Sequence, residues 1–363
     1  MMRRLLAVAL TLAMLGAAPL TTRGGFTNAD RPWHFVFPRD HAAHPAFASE
    51  WWYYTGHLRT RTGRRFGFEL TFFRIGLRPG DPKPSATQSR WRGNQLFPAH
   101  FAISDDENDR FVYHERFARE ALGMGSAATH ELSVHVLDWS LEGTAPMRLR
   151  AREGSDALAL DLTALKPPAI HGHDGISKKA PCATCASHYY SLTRMQARGT
   201  LATGGRRFDV DGQAWMDHEF GSDELQSDLA GWDWFALQLD DGRELMLYRL
   251  RRKDGTLTAE SSGSLVERDG RVRYLPRDAV RIDALGSWRS PHTGATYPSG
   301  WHIALPSGRL DVTVKPLIAD QELAAPESVS YWEGDCDVRD AATGARRGSA
   351  YVELTGYAGA ISL

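Results

Sequence analysis

Cysteine is scarce in this chain. Only Cys182, Cys185 and Cys336 occur among 363 residues, too few for a small fold stapled by several disulfides. Neither sign of charge is in excess: 43 Lys and Arg stand against 44 Asp and Glu, for a net charge of −1 with the histidines neutral. The signs are well mixed, so no surface for nucleic acid or for an anionic membrane is expected. No long apolar run follows residue 15, so no transmembrane segment is expected once the leader is removed. Long helical patterns between strands are missing, which argues against dinucleotide-binding and α/β-barrel folds. No glycine loop of the nucleotide-binding kind follows a strand, and neither a Gly-x-Ser-x-Gly elbow nor a His-Glu-x-x-His pair occurs. These absences disfavour serine hydrolases and zinc peptidases of familiar sequence type, although a convergent triad stays open.

What is present suits a packed core. Apolar residues make up 42% and charged residues 24%, and the length suggests roughly two or three domains. Met1-Met2-Arg3-Arg4 followed by the apolar run from Leu5 to Leu15 and by Gly16-Ala17-Ala18 reads as an export signal over residues 1–18. The mature chain is then expected to start near Pro19, in the periplasm or outside the cell. In that compartment Cys182-Ala183-Thr184-Cys185 is open to three readings: a disulfide closing a small loop, free thiols, or two metal ligands with His188 as a third.

Strand signals dominate the remainder. Trp51 to Leu58 is aromatic and β-prone, and Phe66, Phe68, Leu70 and Phe72 alternate with Gly67, Glu69, Thr71 and Phe73, a period of two with one strongly apolar face. Phe97, Ala99, Phe101 and Ile103 repeat the pattern, and further strands are expected around residues 134–139, 158–162 and 188–195. Residues 79–89 read as a polar loop and 117–125 as a short helix. Three tight hairpins are expected at Asp240-Asp241-Gly242-Arg243, Arg268-Asp269-Gly270-Arg271 and Pro306-Ser307-Gly308-Arg309, with a closing strand at 351–357. Many short antiparallel strands joined by glycine turns suggest an all-β fold of sandwiches or barrels, with two halves each about the right size for one antiparallel barrel and a boundary near residues 221–231.

Three polar-aromatic clusters stand out. In Trp215-Met216-Asp217-His218-Glu219, a strand would put Asp217 and Glu219 on one face and His218 on the other. Two carboxyls and an imidazole can divide acid and base duties, or can form a polar turn. In Trp232-Asp233-Trp234, Asp233 shares its face with Phe235, Leu237 and Leu239, so it is either a barrel rim or a buried acid with a partner. The tryptophans flanking it pack the core or stack on a ligand. His188-Tyr189-Tyr190-Ser191 is the third, its tyrosines pointing into a pocket or closing a sheet edge. Glu50 before Trp51-Trp52 is similar, and His100 is open to either role.

These stretches resemble the carotenoid 1,2-hydratase family and its exported relatives, often described as lipocalin-like secreted hydrolases. The resemblance is carried by residues 50–58 (EWWYYTGHL), 66–74 (FGFELTFFR), 187–194 (SHYYSLTR), 214–221 (AWMDHEFG), 231–235 (GWDWF), 331–334 (YWEG) and 351–357 (YVELTGY). It covers about residues 45 to 360. It implies two lipocalin-like domains packed side by side, at 45–221 and 222–361, with a site where they meet. Characterised members add water across an isolated terminal double bond of an acyclic carotenoid, and fungal enzymes of related fold steer polyene cyclisations. The resemblance therefore implies an apolar partner such as an isoprenoid or lipid, and acid–base chemistry without metal or organic cofactor; a monomer or weak dimer is expected. Asp233 is the first choice of proton donor and Asp217 the alternative. His218, oriented by Glu219 or a nearby acid, is the base, and Tyr189 or Tyr190 positions water. Trp215, Trp232, Trp234, Trp52 and His100 are the candidate substrate contacts. A non-catalytic carrier of an apolar ligand would need the same lining without tuned acids. One departure is the export signal, which membrane-associated carotenoid hydratases of photosynthetic bacteria do not share.

Overall fold

A computed structural model describes residues 24–79, 93–222, 228–324 and 329–359. The leader at 1–18 and most of the loop at 79–89 lie outside the described residues. Those that are described form two large antiparallel sheets, of 13 and 10 strands, and one two-stranded ribbon. Among the described residues helix is limited to short 3-10 turns, and none is long and apolar enough to cross a membrane.

The first sheet begins with β1 (Ser49–Arg59), β2 (Arg65–Gly76), β3 (Gln95–Asp105) and β4 (Arg110–Arg119). Two long strands, β5 (Ala186–Thr203) and β6 (Arg206–Gly221), complete its centre. β1 lies between β2 and β6, and β6 pairs in turn with β5. Short strands continue the path to Gly125–Ala127. A side chain at Gly125 would strike Phe97 and Ala118 of β3 and β4, so the path returns almost to its start and the sheet is nearly closed into a barrel. The alternation of β2 is as expected: Phe66, Phe68, Leu70 and Phe72 fill the barrel, with Trp52, Tyr54 and Met216.

The second sheet is built on β7 (Leu229–Leu239), β8 (Glu244–Arg252), β9 (Tyr331–Asp340) and β10 (Arg346–Leu354). It is an open half-barrel and not the second closed barrel expected. Its terminal strands explain why. Val272–Pro276 ends in a proline that lacks an N–H, and Arg281–Ala284 is polar and largely exposed. Both are features that stop further pairing.

The outer face of the first sheet packs on the second, so most of β1 and β2 and the second half of β6 are buried on both faces, which is why β1 and β2 read as aromatic, apolar runs. A Cβ on Gly67 would lie 2.8 Å from the Asp335 side chain, so only glycine permits this approach of the sheets. Residues 24–48 contribute no strand but cover one end of the barrel, with Phe35 against Tyr190 and Trp33 against Phe220. The short helix expected at 117–125 is instead the end of β4 followed by a 3-10 turn at Ala121–Gly123. There Leu122 has φ +60°, a conformation that breaks a helix. Cys182 and Cys185 form a disulfide and Cys336 is free and buried.

Candidate functional site

Strand alternation sends the central motif in two directions. Trp215, Asp217 and Glu219 of β6 face the second sheet, while Met216, His218 and Phe220 face the barrel. The tyrosine pair of β5 splits likewise, Tyr189 joining Asp217 and Tyr190 joining His218. The sequence brings these residues together, but the fold separates Asp217 from His218 by the thickness of a strand.

Between the sheets, Asp217 is 4% exposed. It accepts hydrogen bonds from the Tyr189 hydroxyl at 2.6 Å, from Trp215 Nε1 at 2.6 Å, and from the Ser191 hydroxyl. Burial pushes its carboxyl up to about 7, although these donors pull the other way. Trp234 Nε1 donates to the Tyr189 hydroxyl at 3.2 Å. The Trp234 ring meets Tyr53 and Trp215 edge-on, at 5.2 and 6.1 Å. Ser191 continues to His171 Nε2 at 2.6 Å, and His171 Nδ1 lies 2.9 Å from the Ser264 hydroxyl of the second sheet. Burial drives the imidazole down to about 3. Glu219 is bound by Lys179 at 2.6 Å and by Ser187. It does not orient His218.

Three further acids occupy this face: Glu69 of β2, Glu333 of β9 and Glu353 of β10. Burial pushes Glu69 and Glu353 up to about 8 and Glu333 well above the ordinary carboxyl range. Tyr53 donates to Glu333, and Trp232 Nε1 donates to Glu353 at 3.0 Å. The sequence reading missed these residues and His171. Glu69 had one signal, since it stood opposite the apolar face of β2 in a strand too apolar to be solvated.

On the barrel side, His218 stacks on Trp52, with ring centres 4.9 Å apart. Its Nε2 is 2.8 Å from Glu50, its Nδ1 3.0 Å from the Tyr190 hydroxyl, and that hydroxyl 2.6 Å from His41 Nδ1. Burial alone would raise Glu50, but the Arg74 guanidinium at 2.8 Å, with His44, holds it well below the carboxylate range. Burial keeps His218 and His41 low, His41 at about 4. Among the described residues His44, Glu50 and His218 are the one group placing three metal-ligand atoms within 4.8 Å of one another. Arg74 and the imidazoles already satisfy Glu50.

Asp233 does not stand alone on an apolar face. Arg249 Nη2 at 2.6 Å, Arg251 Nε at 2.9 Å and the Tyr357 hydroxyl at 3.0 Å surround it. A carboxylate so paired is committed to structure. Reading β7 alone hid this, because the arginines come from β8. Trp232 and Trp234 point the other way, toward the first sheet. His100 lies 2.7 Å from the Tyr331 hydroxyl, across the sheet interface.

The AttH-like family model matches residues 28–357. A crystal structure from Nitrosomonas europaea, described as a candidate AttH, shares 32% identity over 94% of this chain and 99% of its own, with a TM-score of 0.79. Kievitone hydratase from Nectria haematococca is similar in fold at 15% identity, covering 93% of this chain and 98% of its own, with a TM-score of 0.64. CghA, solved with Sch210972, has 12% identity, 94% and 98% coverage and a TM-score of 0.52. No curated protein sequence matches the chain.

Proposed function

The chain belongs to the AttH-like family, and from that premise we propose that it is a hydratase-like enzyme that works by acid–base chemistry on a double bond of an apolar substrate held between the two sheets. The observation that carries this reading is Asp217, a buried carboxyl at about 7 walled by Trp215, Trp234 and Tyr189. An unactivated alkene is a poor base, so its protonation needs a carboxyl that keeps its proton near neutral pH and is held against the double bond in a site poor in water. In the proposed step the π electrons of the alkene take the Asp217 proton at the less substituted carbon. The ring faces stabilise the tertiary cation. Water adds through an oxygen lone pair, and the proton it sheds returns to the Asp217 carboxylate through Tyr189. Atoms balance as one water added, and the acid is regenerated. The hydratase named among the structural neighbours supports the reaction class by analogy of fold. Given the leader-like sequence, the substrate is met in the periplasm or outside the cell.

The test is incorporation of oxygen from ¹⁸O-labelled water into a terminal isoprenoid alkene. Wild-type protein is expected to give labelled alcohol. Asp217→Asn should lower turnover by roughly 10²-fold or more while retaining alkene binding. Unchanged turnover in that variant would sink the mechanism. If neither protein turns over any alkene yet both bind it, the carrier reading replaces this one.

A further inference from the structure

The acids deeper between the sheets have no evident use as proton donors for one alkene carbon. Glu69 is wholly buried, and neither of its oxygens has a hydrogen-bond partner among the described residues. The Thr71 hydroxyl is its nearest help and lacks hydrogen-bond geometry. Glu333 Oε2 is also without a partner. The same holds for two groups that are not acids, the Thr55 and Tyr351 hydroxyls, each 1% exposed. Thr55 pairs across the strands with Glu69, and Glu333 with Glu353. Tyr351 senses the charges of both Glu333 and Glu69. These orphan oxygens therefore converge from both sheets. Buried polar atoms without partners are rare in folded proteins, and a convergent set of acceptors calls for a donor.

We propose that the Glu69–Glu333–Glu353 cluster binds the cationic head of an apolar amine, a refinement that rests on the inter-sheet face being the substrate site. A primary ammonium brings three N–H donors and one positive charge. It would satisfy the orphan oxygens and let the glutamates ionise against it. The Tyr53 ring, whose hydroxyl binds Glu333, and the Trp234 ring, paired across the strands with Glu353, supply aromatic surface suited to a cation. A bare metal ion fits less well. Direct chelation needs ligand atoms packed as closely as those of His44, Glu50 and His218, and the three glutamates do not form such a group.

Titration calorimetry with decylamine, decan-1-ol and decanoate at pH 7 tests this, run in two buffers of different ionisation enthalpy. The amine is expected to bind at least about tenfold more tightly than the alcohol, with release of protons, and decanoate should not bind. Glu69→Gln should bring the amine down to the affinity of the alcohol and leave the alcohol unchanged. Glu353→Gln should do the same, with folding of both variants checked by circular dichroism. Equal binding of amine and alcohol without proton release would overturn the cation site while leaving an apolar site standing. Displacement of the amine by Mn²⁺ that binds on its own would overturn it in favour of a metal ion. If none of the three probes binds, both this proposal and the inter-sheet substrate site fall.

Discussion

Replacing Glu69 by glutamine should change how stability depends on pH. Glu69 is buried from water, and burial raises its carboxyl from 4.5 to about 8. In the folded chain it stays protonated over an interval in which the unfolded chain has lost the proton. Its native pKa lies above its unfolded value, so its contribution to stability is fully present below about 4.5 and is lost as pH rises through about 8. Each pH unit of that interval is worth about 1.4 kcal/mol. The full interval is therefore worth on the order of 3–5 kcal/mol. Glutamine cannot ionise, so the variant escapes this loss. Any amide group of the glutamine left unpaired imposes a penalty of about 1–3 kcal/mol that does not depend on pH, so the readout is the slope and not the offset. The charge of Glu69 also pushes up Glu333, and removing it adds relief of the same sign. Urea denaturation followed by tryptophan fluorescence, stepped from pH 5 to 9, measures the difference between variant and wild type. That difference should grow in favour of the variant as pH rises. A difference that is flat across the range would falsify the claim that Glu69 is held protonated.

Below neutrality the slope should reverse. Burial lowers His41 and His188 to about 4 and His171 to about 3, so the unfolded chain binds protons first and stability falls as pH drops from 6.5 toward 4. His171→Asn should flatten part of that fall in the same urea titration, and an unaltered fall would remove His171 from the account. In the barrel, Arg74→Met leaves Glu50 without its guanidinium partner and should cost about 3–5 kcal/mol. Adding Glu50→Gln to it should recover part of that loss, and a double variant as unstable as the sum of two singles would contradict the pairing. Replacing Cys182 and Cys185 by serine opens a loop of sequence separation 3 and should cost about 2 kcal/mol, read as a lower melting temperature with unchanged far-ultraviolet dichroism.

Much of the fold was legible because the strands obey a period of two. Phe66, Phe68, Leu70 and Phe72 occupy the barrel as their spacing demanded, and all three glycine hairpins pair as expected. The opposition of Asp217 and His218 was legible for the same reason. Partners supplied by distant strands were not. Asp233 read as a barrel rim or as a buried acid with a partner, and the second holds, but Arg249 and Arg251 lie on the neighbouring strand and no periodicity within β7 reports them. Glu333 and Glu353 look like solvent-facing positions of amphipathic strands, and only the packing of one sheet on the other turns them, with Glu69, into one cluster of buried acids. The open edge of the second sheet was hidden because a strand pattern records which face is apolar and not whether the last strand finds a neighbour.

One strand thus serves two environments whose electrostatics run in opposite directions. On the barrel side of β6, Glu50 is compensated by Arg74 and held well below the carboxylate range, and His218 is completed by Glu50 and Tyr190. There the buried acid has its counter-charge, although Arg74 Nη1 has no hydrogen-bond partner among the described residues. On the other side Asp217, Glu69, Glu333 and Glu353 are all raised by burial, and among them no guanidinium supplies the missing charge. A fold selected for stability alone gains nothing from four acids that cannot ionise, since apolar residues of similar volume would pack there without penalty. Groups driven away from their ordinary pKa mark the places where a protein exchanges stability for chemistry. Chemistry is therefore expected at the face between the sheets and not in the histidine-rich interior of the barrel, even though the barrel holds the more familiar set of catalytic side chains.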